Sequence, residues 1–263
     1  MTIPLRFDVL TDHQAATARA YLAARADERH HLVVYLSGAH AYGFPSPDSD
    51  LDLKAVHVAP TGALVGLGPE PGPVERMIVI DGVELDYSSN ELGDVLRGVL
   101  KGNGNYLERV LGDLVLAVDE PRLTSLRPLA RAALSRRVVR HYGGFATSQR
   151  LAALAKPTAK KVLYVLRTAR TGLHLLRTGE LVTDLTALAL SYGPAIDDLL
   201  ARKRTGERST LDGGELARWQ TVMASALDEL DRAVATSVLP EEPPAAAIAD
   251  LDAWLRATRK ACW

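Results

Sequence analysis

Cysteine is almost missing from this chain: Cys262 stands alone among 263 residues. A single thiol excludes an internal disulfide and any thiolate zinc cluster, and it suits a reducing, cytoplasmic compartment. Aromatic side chains make up 5% of the residues, too few for generic single-strand binding by base stacking. No apolar stretch approaches the roughly 18 residues that a membrane span needs. Residues 1–7 lack the basic start and apolar run of a secretory signal, so neither export nor membrane attachment is expected. There is no Gly-x-Gly-x-x-Gly, no Walker lysine loop and no Gly-x-Ser-x-Gly elbow. Net charge is scarce too: 31 Lys+Arg face 32 Asp+Glu. Taken alone, that balance argues against a nucleic-acid or polyphosphate partner.

The positions of the charges overturn that last exclusion. Residues 1–120 carry 9 Lys+Arg and 18 Asp+Glu, residues 121–178 carry 13 Lys+Arg and no acid, and residues 179–263 carry 9 against 14. Neutrality is therefore cancellation between blocks. The 47% hydrophobic fraction is that of an ordinary globular protein, large enough for one sizeable domain or two small ones. Thr11, with Gln14 three residues on, reads as a capping box opening a first helix. Residues 31–36 are short, β-branched and apolar, as in a buried strand. Leu51, Leu53, Ala55 and Val58 alternate with Asp50, Asp52 and Lys54, as in a half-buried strand. Residues 77–80 and 83–87 flank Asp81-Gly82, a strong two-residue hairpin signal. Past Ser89 the pattern is helical. The expected architecture is α+β at the front and all-helical at the back: domains 1–120 and 121–263, divided at Glu120-Pro121. The proline-rich run 239–244 sets off a last amphipathic helix ending near Arg259.

The most informative stretch is Ser37-Gly38-Ala39-His40-Ala41-Tyr42-Gly43, followed by Ser46-Pro47-Asp48-Ser49-Asp50-Leu51-Asp52-Leu53. Residues i and i+2 of a strand share a face, so Asp50 and Asp52 present two carboxylates side by side. Such a pair repels itself unless a cation intervenes, and hard oxygen ligands suit Mg²⁺ completed by water and substrate phosphate. The glycines leave backbone N–H groups able to approach a phosphate. A bare Asp-x-Asp is more often a solvated loop with a capping aspartate; the strand and glycine turn before it favour a site. A third carboxylate is available from Glu84 or Asp86, which share one face of the next strand.

Residues 37–53 resemble the metal-binding motif of polymerase-β-type nucleotidyltransferases: a glycine turn, Ser-Asp-x-Asp, then an acid on a later strand. The chain is similar to the bacterial "RNA repair pathway DNA polymerase beta" family of nucleotidyltransferases. Matching stretches include Asp81-Gly82-Val83-Glu84-Leu85-Asp86, Asn103-Gly104-Asn105-Tyr106-Leu107-Glu108, His141-Tyr142-Gly143-Gly144-Phe145-Ala146 and Lys161-Val162-Leu163-Tyr164-Val165-Leu166-Arg167. Thr171-Gly172-Leu173-His174-Leu175-Leu176-Arg177-Thr178-Gly179-Glu180 extends the likeness, which covers roughly residues 30–190. It implies a mixed sheet flanked by helices, followed by a helical bundle. It also implies two Mg²⁺ or Mn²⁺ ions on Asp50, Asp52 and Asp86, with Glu84 as the alternative third ligand. The chain departs from the family at the turn, where Gly38-Ala39 replaces the usual Gly-Ser. Ser37, Ser49 and His40 are candidates to replace the missing hydroxyl, and Gly38 and Gly43 would shape the phosphate turn.

The acid-free basic segment 121–178 completes the expectation. Lys160, Lys161, Tyr164, Arg167 and His174 recur at helical spacings that put them along one broad face. A triphosphate or RNA backbone is a natural counter-ion for such a surface; the alternative is ion pairing to the acidic front half. Lys160, Lys161, Tyr164, Arg167 and His141 are candidates for nucleotide or acceptor binding. His57 is expected to be a packed histidine, and Trp219, Trp254 and Trp263 packing or tail residues. The expected activity is transfer of a nucleoside monophosphate from an NTP to an acceptor hydroxyl, with an RNA end as the implied acceptor. Two alternatives share the site: a non-catalytic nucleotide or RNA sensor, and an enzyme that modifies a protein or small molecule.

Overall fold

The computed structural model describes residues 2–68, 72–205 and 210–263. After a 3-10 turn at Phe7–Val9, helix α1 (Asp12–Ala23) opens on the expected capping box. The Thr11 hydroxyl accepts from the Gln14 backbone N–H, and the Gln14 side chain accepts from the Thr11 N–H, both at 3.2 Å. Strand β1 (His30–Leu36) runs into a single helical turn, α2 (Gly38–Ala41), and β2 (Leu51–Val58) leads to α3 (Thr61–Val65). Strands β3 (Val74–Ile80) and β4 (Val83–Glu91) form the hairpin. Asp81 and Gly82 both have positive φ there, as a two-residue turn matching the strand twist requires. Helices α4 (Leu92–Leu100) and α5 (Gly104–Leu111) precede strand β5 (Val115–Val118) and helix α6 (Glu120–Ala132). The remaining elements are helices: α7 (Val138–Ala155), α8 (Ala159–Thr178), α9 (Leu185–Tyr192), α10 (Asp197–Thr205), α11 (Gly213–Ala233) and α12 (Ala245–Ala261).

The five strands form one mixed sheet in the order β3-β4-β2-β1-β5. β2 and β4 run parallel; the other neighbours are antiparallel. The architecture is α+β. One sheet face packs Val34, Leu36, Leu51, Leu53, Ala55, Leu85 and Tyr87 against Phe7 and against Ala18 and Tyr21 of α1. Strand alternation turns Asp52, Lys54, Glu84 and Asp86 to the opposite face.

Two local expectations need correction. The helical reading past Ser89 misses β5, whose four residues are too few to show alternation and which exists by pairing with β1. Pro121 does not interrupt regular structure; it occupies the first turn of α6, where a helix has no use for that N–H.

The chain divides into two compact units. The first comprises Met1–Gly38, Ser49–Ala133 and Pro243–Trp263; the second comprises Ala39–Asp48 and Leu134–Glu242. These are not the consecutive segments 1–120 and 121–263. Helix α6 packs on α5 and β1, and α12 packs on α6 and α4, so both belong to the sheet unit. Thr61 ties α12 further, its N–H donating to the Cys262 carbonyl at 2.8 Å and its hydroxyl to the Arg259 carbonyl at 2.6 Å.

The second unit consists of helices α7–α11 and the loop 39–48. Trp219, Met223 and Leu230 of α11 and Tyr142 of α7 are buried in it. Helix α7 continues unbroken through Gly143-Gly144. Among the described residues, no helix is long and apolar enough to cross a membrane.

Candidate functional site

The acidic pair is set by the junction of β1 and β2. The Ser37 N–H donates to the Asp52 carbonyl at 2.8 Å, which extends the ladder by one residue and fixes where the turn begins. Gly38 then takes a positive φ of 65°. A Cβ at this position would lie 1.8 Å from Asp52 Oδ2, so only glycine lets the backbone settle against that carboxylate. On the other side of the turn, the Gln14 amide donates to the Ser49 carbonyl at 3.2 Å and anchors the approach to Asp50. Across the parallel β2/β4 ladder the register partner of Asp52 is Asp86. Glu84 faces Val79 of the hairpin and is exposed. Asp86, not Glu84, is therefore the strand acid beside the pair.

Asp52 is the most perturbed carboxyl in this group. Burial raises it from the ordinary 3.8 to about 6, the Asp50 charge adds to the effect, and Lys54 opposes it. Lys54 lies on the same face, its Nζ 2.8 Å from Asp86 Oδ2 and 3.7 Å from Asp52 Oδ1. Arg109 of α5 reaches the same two strands. Its guanidinium donates to the Ala55 carbonyl at 3.1 Å, to the Ser88 hydroxyl at 3.3 Å and to the Asn90 side chain. The expected centre of three carboxylates is accordingly not assembled by itself. Among the described residues, no group of three or more His, Cys, Asp or Glu side chains is placed to hold a metal ion. The physical reason is Lys54, whose ammonium stands between Asp52 and Asp86. The Asp50–Asp52 pair does fit one hard divalent cation: its donors are carboxylate oxygens, Asp52 is half-buried and crowded by its neighbour's charge, and the turn closes on it.

Of the other expected residues, Tyr164 and Arg167 meet loop 39–48, which carries His40 and Gly43, in the helical unit, while Ser37 and Ser49 belong to the sheet unit. Tyr42 and Phe44 pack edge-on against Tyr164 of α8, each with ring centroids 5.6 Å apart. Arg167, 4% exposed, lays its guanidinium 3.5 Å over the Tyr42 ring. His40 is buried, and the Tyr42 carbonyl beyond it accepts from the Leu185 N–H at 3.0 Å. Gly43 lies against the Asp184 carboxylate. Lys203 of α10, which the sequence reading did not single out, is buried and donates to the Ser46 hydroxyl at 2.9 Å. The Ser46 hydroxyl holds Asp48 below the usual carboxylate range, helped by Lys203 and Lys160. His141 stacks on Phe145 of α7.

Lys160, Lys161 and Tyr164 line a cavity of about 350 Å³ with Lys156, Gln149 and Thr158. This is the size of a small-molecule pocket. Among the described residues, its charged lining is cationic. Lys161 Nζ also donates to the Ala152 carbonyl at 2.8 Å, and the Thr158 hydroxyl caps α8.

Much of the basic segment is engaged locally. Arg170 pairs with Glu229 at 2.7 Å, Arg137 with Glu242 and Arg122 with Asp119. Arg127 donates to the Val110 and Gly112 carbonyls, and Arg136 to that of Leu239. His57 is a packed histidine, bonded to the Ser89 hydroxyl at 2.8 Å, with its pKa lowered to about 4 by burial.

Comparison with known proteins puts this geometry in context. A model of the RNA repair pathway DNA polymerase beta family matches residues 15–257. Uncharacterized protein MJ0002 of Methanocaldococcus jannaschii is 29% identical over 158 residues, 59% of this chain. That match spans 64% of the curated relative's own length. The crystal structure of a nucleotidyltransferase-like protein from Exiguobacterium sibiricum aligns with 83% of this chain and 73% of its own. Its sequence identity is 10% and its TM-score 0.33. The family match extends from α1, through the carboxylate strands and the basic helix α8, into α12. This chain belongs to the RNA repair pathway DNA polymerase beta family.

Proposed function

We propose that this protein is a metal-dependent nucleotidyltransferase that moves a nucleoside monophosphate from an NTP to an acceptor hydroxyl, with an RNA end as the acceptor. The observation that carries the reading is the half-buried Asp52 carboxylate, crowded by Asp50 and closed over by the Gly38 turn. That arrangement is costly for a protein with no cation to place there. Asp50 and Asp52 would hold Mg²⁺ or Mn²⁺. When bound, the ion neutralises triphosphate charge and lowers the pKa of the acceptor hydroxyl.

The chain's own residues account for the rest. The Gly38 turn fixes the direction of the Asp52 carboxylate. Asp86 and Lys54 define the neighbouring edge of the site. Lys156, Lys160 and Lys161, around a cavity with Tyr164, supply cations for an anionic ligand. In the reaction the acceptor oxygen forms a bond to the α-phosphorus as the bond to the β-phosphate oxygen breaks, and pyrophosphate leaves. The RNA end as acceptor rests on the family's association with RNA repair.

The test is incubation with each α-labelled NTP, Mg²⁺ or Mn²⁺, and a panel of RNA ends, proteins and small molecules. Label should pass to an RNA end and be lost in the double variant Asp50→Ala, Asp52→Ala. Transfer that survives the double variant would sink the mechanism, and transfer only to a protein or small molecule would replace the acceptor.

A further inference from the structure

Lys54 has no part in an acidic metal motif, yet it occupies the middle of this one. Its ammonium is 2.8 Å from Asp86 Oδ2 and 3.7 Å from Asp52 Oδ1, with its side chain 19% exposed. Strand periodicity requires that placement. Lys54 follows Asp52 by two residues on β2, so the two share a face, and β4 brings Asp86 alongside as the register partner of Asp52. Asp52 and Asp86 are thus the two carboxylates that flank the ammonium.

We propose that Lys54 is the second cation of this site: its ammonium takes the place of one metal ion, so the protein binds a single divalent ion, on Asp50 and Asp52. This deepens the nucleotidyltransferase reading and rests on it. Three considerations carry it. Two cations a few ångströms apart repel strongly where water is partly excluded, so an ion between Asp52 and Asp86 would have to expel the ammonium. The ammonium is covalently tethered, so its local concentration does not depend on the metal supply. The strand that carries Asp86 also holds Arg109, whose guanidinium donates to Ser88 and Asn90. The Asp86 end of the site needs no further charge from a metal. A lysine ammonium also has three N–H donors; one serves Asp86, leaving capacity for a phosphate oxygen.

The experiment uses the full chain with Mn²⁺ as probe, with and without a non-hydrolysable NTP analogue. It reads ions bound per chain by equilibrium dialysis and the electron paramagnetic resonance spectrum. The wild type should bind one Mn²⁺ in its own sites and give an isolated-ion spectrum. Lys54→Met should admit a second ion and give the exchange-coupled spectrum of a close pair, whereas Lys54→Arg should keep one. Asp86→Asn should retain the single ion, while Asp52→Asn should lose it. This arm decides the matter if Lys54→Met does not fold.

A coupled pair in the wild type, a single ion in folded Lys54→Met, or loss of Mn²⁺ in Asp86→Asn would each overturn the proposal. All three leave the nucleotidyltransferase reading standing. Binding of no Mn²⁺ by any form, with or without the analogue, would overturn that reading and this inference with it.

Discussion

Replacing Asp52 by asparagine should stabilise the metal-free protein at neutral pH, by an amount set by the electrostatics of the site. The Asp52 carboxyl stands at about 6 in the folded chain against an ordinary 3.8, chiefly through burial and then through Asp50. A tenfold change in proton affinity is worth about 1.4 kcal/mol, so keeping this group ionised at pH 7.5 costs the fold about 3 kcal/mol. Between pH 3.8 and 6 the folded chain keeps the proton that the unfolded chain has released. Stability therefore falls as pH rises through that window, and the full cost is present above it. Asparagine removes the charge but buries an amide of its own, so the expected gain at pH 7.5 is about 1–3 kcal/mol. In a chain of this size that is a rise of roughly 2–10 °C in Tm. At pH 4 the gain should shrink below about 1 kcal/mol. Thermal unfolding of both proteins at the two pH values, in chelator, reads this directly. Excess Mg²⁺ should then raise the wild-type Tm and leave the variant unmoved. A variant no more stable than wild type at pH 7.5, or equally advantaged at pH 4, would refute the account of Asp52.

Three further changes probe the surrounding structure. Gly38→Ala puts a Cβ 1.8 Å from Asp52 Oδ2 at a positive φ; it should cost about 1–3 kcal/mol and weaken Mn²⁺ binding, and unchanged binding would separate the turn from the site. Reversing Lys160 and Lys161 to Glu should weaken NTP or RNA binding on the order of tenfold in fluorescence anisotropy. Both are half-buried at a cavity rim, so stability should move by no more than about 1 kcal/mol; intact binding with lost stability would make them structural. Arg259→Ala breaks a 2.6 Å pair with Glu91, whose side chain is 5% exposed. It should cost about 3 kcal/mol or more by denaturant unfolding, and a loss under about 1 kcal/mol would show that Glu91 finds another partner.

What could be read from sequence was local. The Thr11–Gln14 box and the Asp81-Gly82 hairpin each depend on a few adjacent residues, and each is present; Asp52 is on β2 as expected, while Asp50 stands just before the strand begins. β5 was not legible because its four residues are a strand only beside β1. Asp86 could be separated from Glu84 only once the parallel register was known. Lys54 was visible as a strand residue, but its position between two carboxylates belongs to the pairing of β2 with β4. Lys203 meets Ser46 from 157 positions away, and no periodicity carries that information. The cationic block misled in part because a count has no direction: Arg127, Arg136, Arg137 and Arg170 point to carbonyls and acids of their own units. Arg167, expected to meet phosphate, is buried over Tyr42.

The alternation of the chain between its two units bears on how the protein can be made and divided. The sheet unit is interrupted by residues 39–48 and 134–242 and resumes at Pro243. A ribosome that has completed every strand has still not supplied α12, which brings Arg259 to Glu91 and the Cys262 carbonyl to Thr61. The earliest-begun unit therefore closes only after the helical unit's residues have all been synthesised. Neither unit is a continuous stretch of polypeptide, so a cut at 120 or at 133 releases two incomplete bodies. Cutting out 39–48 would remove the helical unit's loop and the covalent lead-in to Asp50 together.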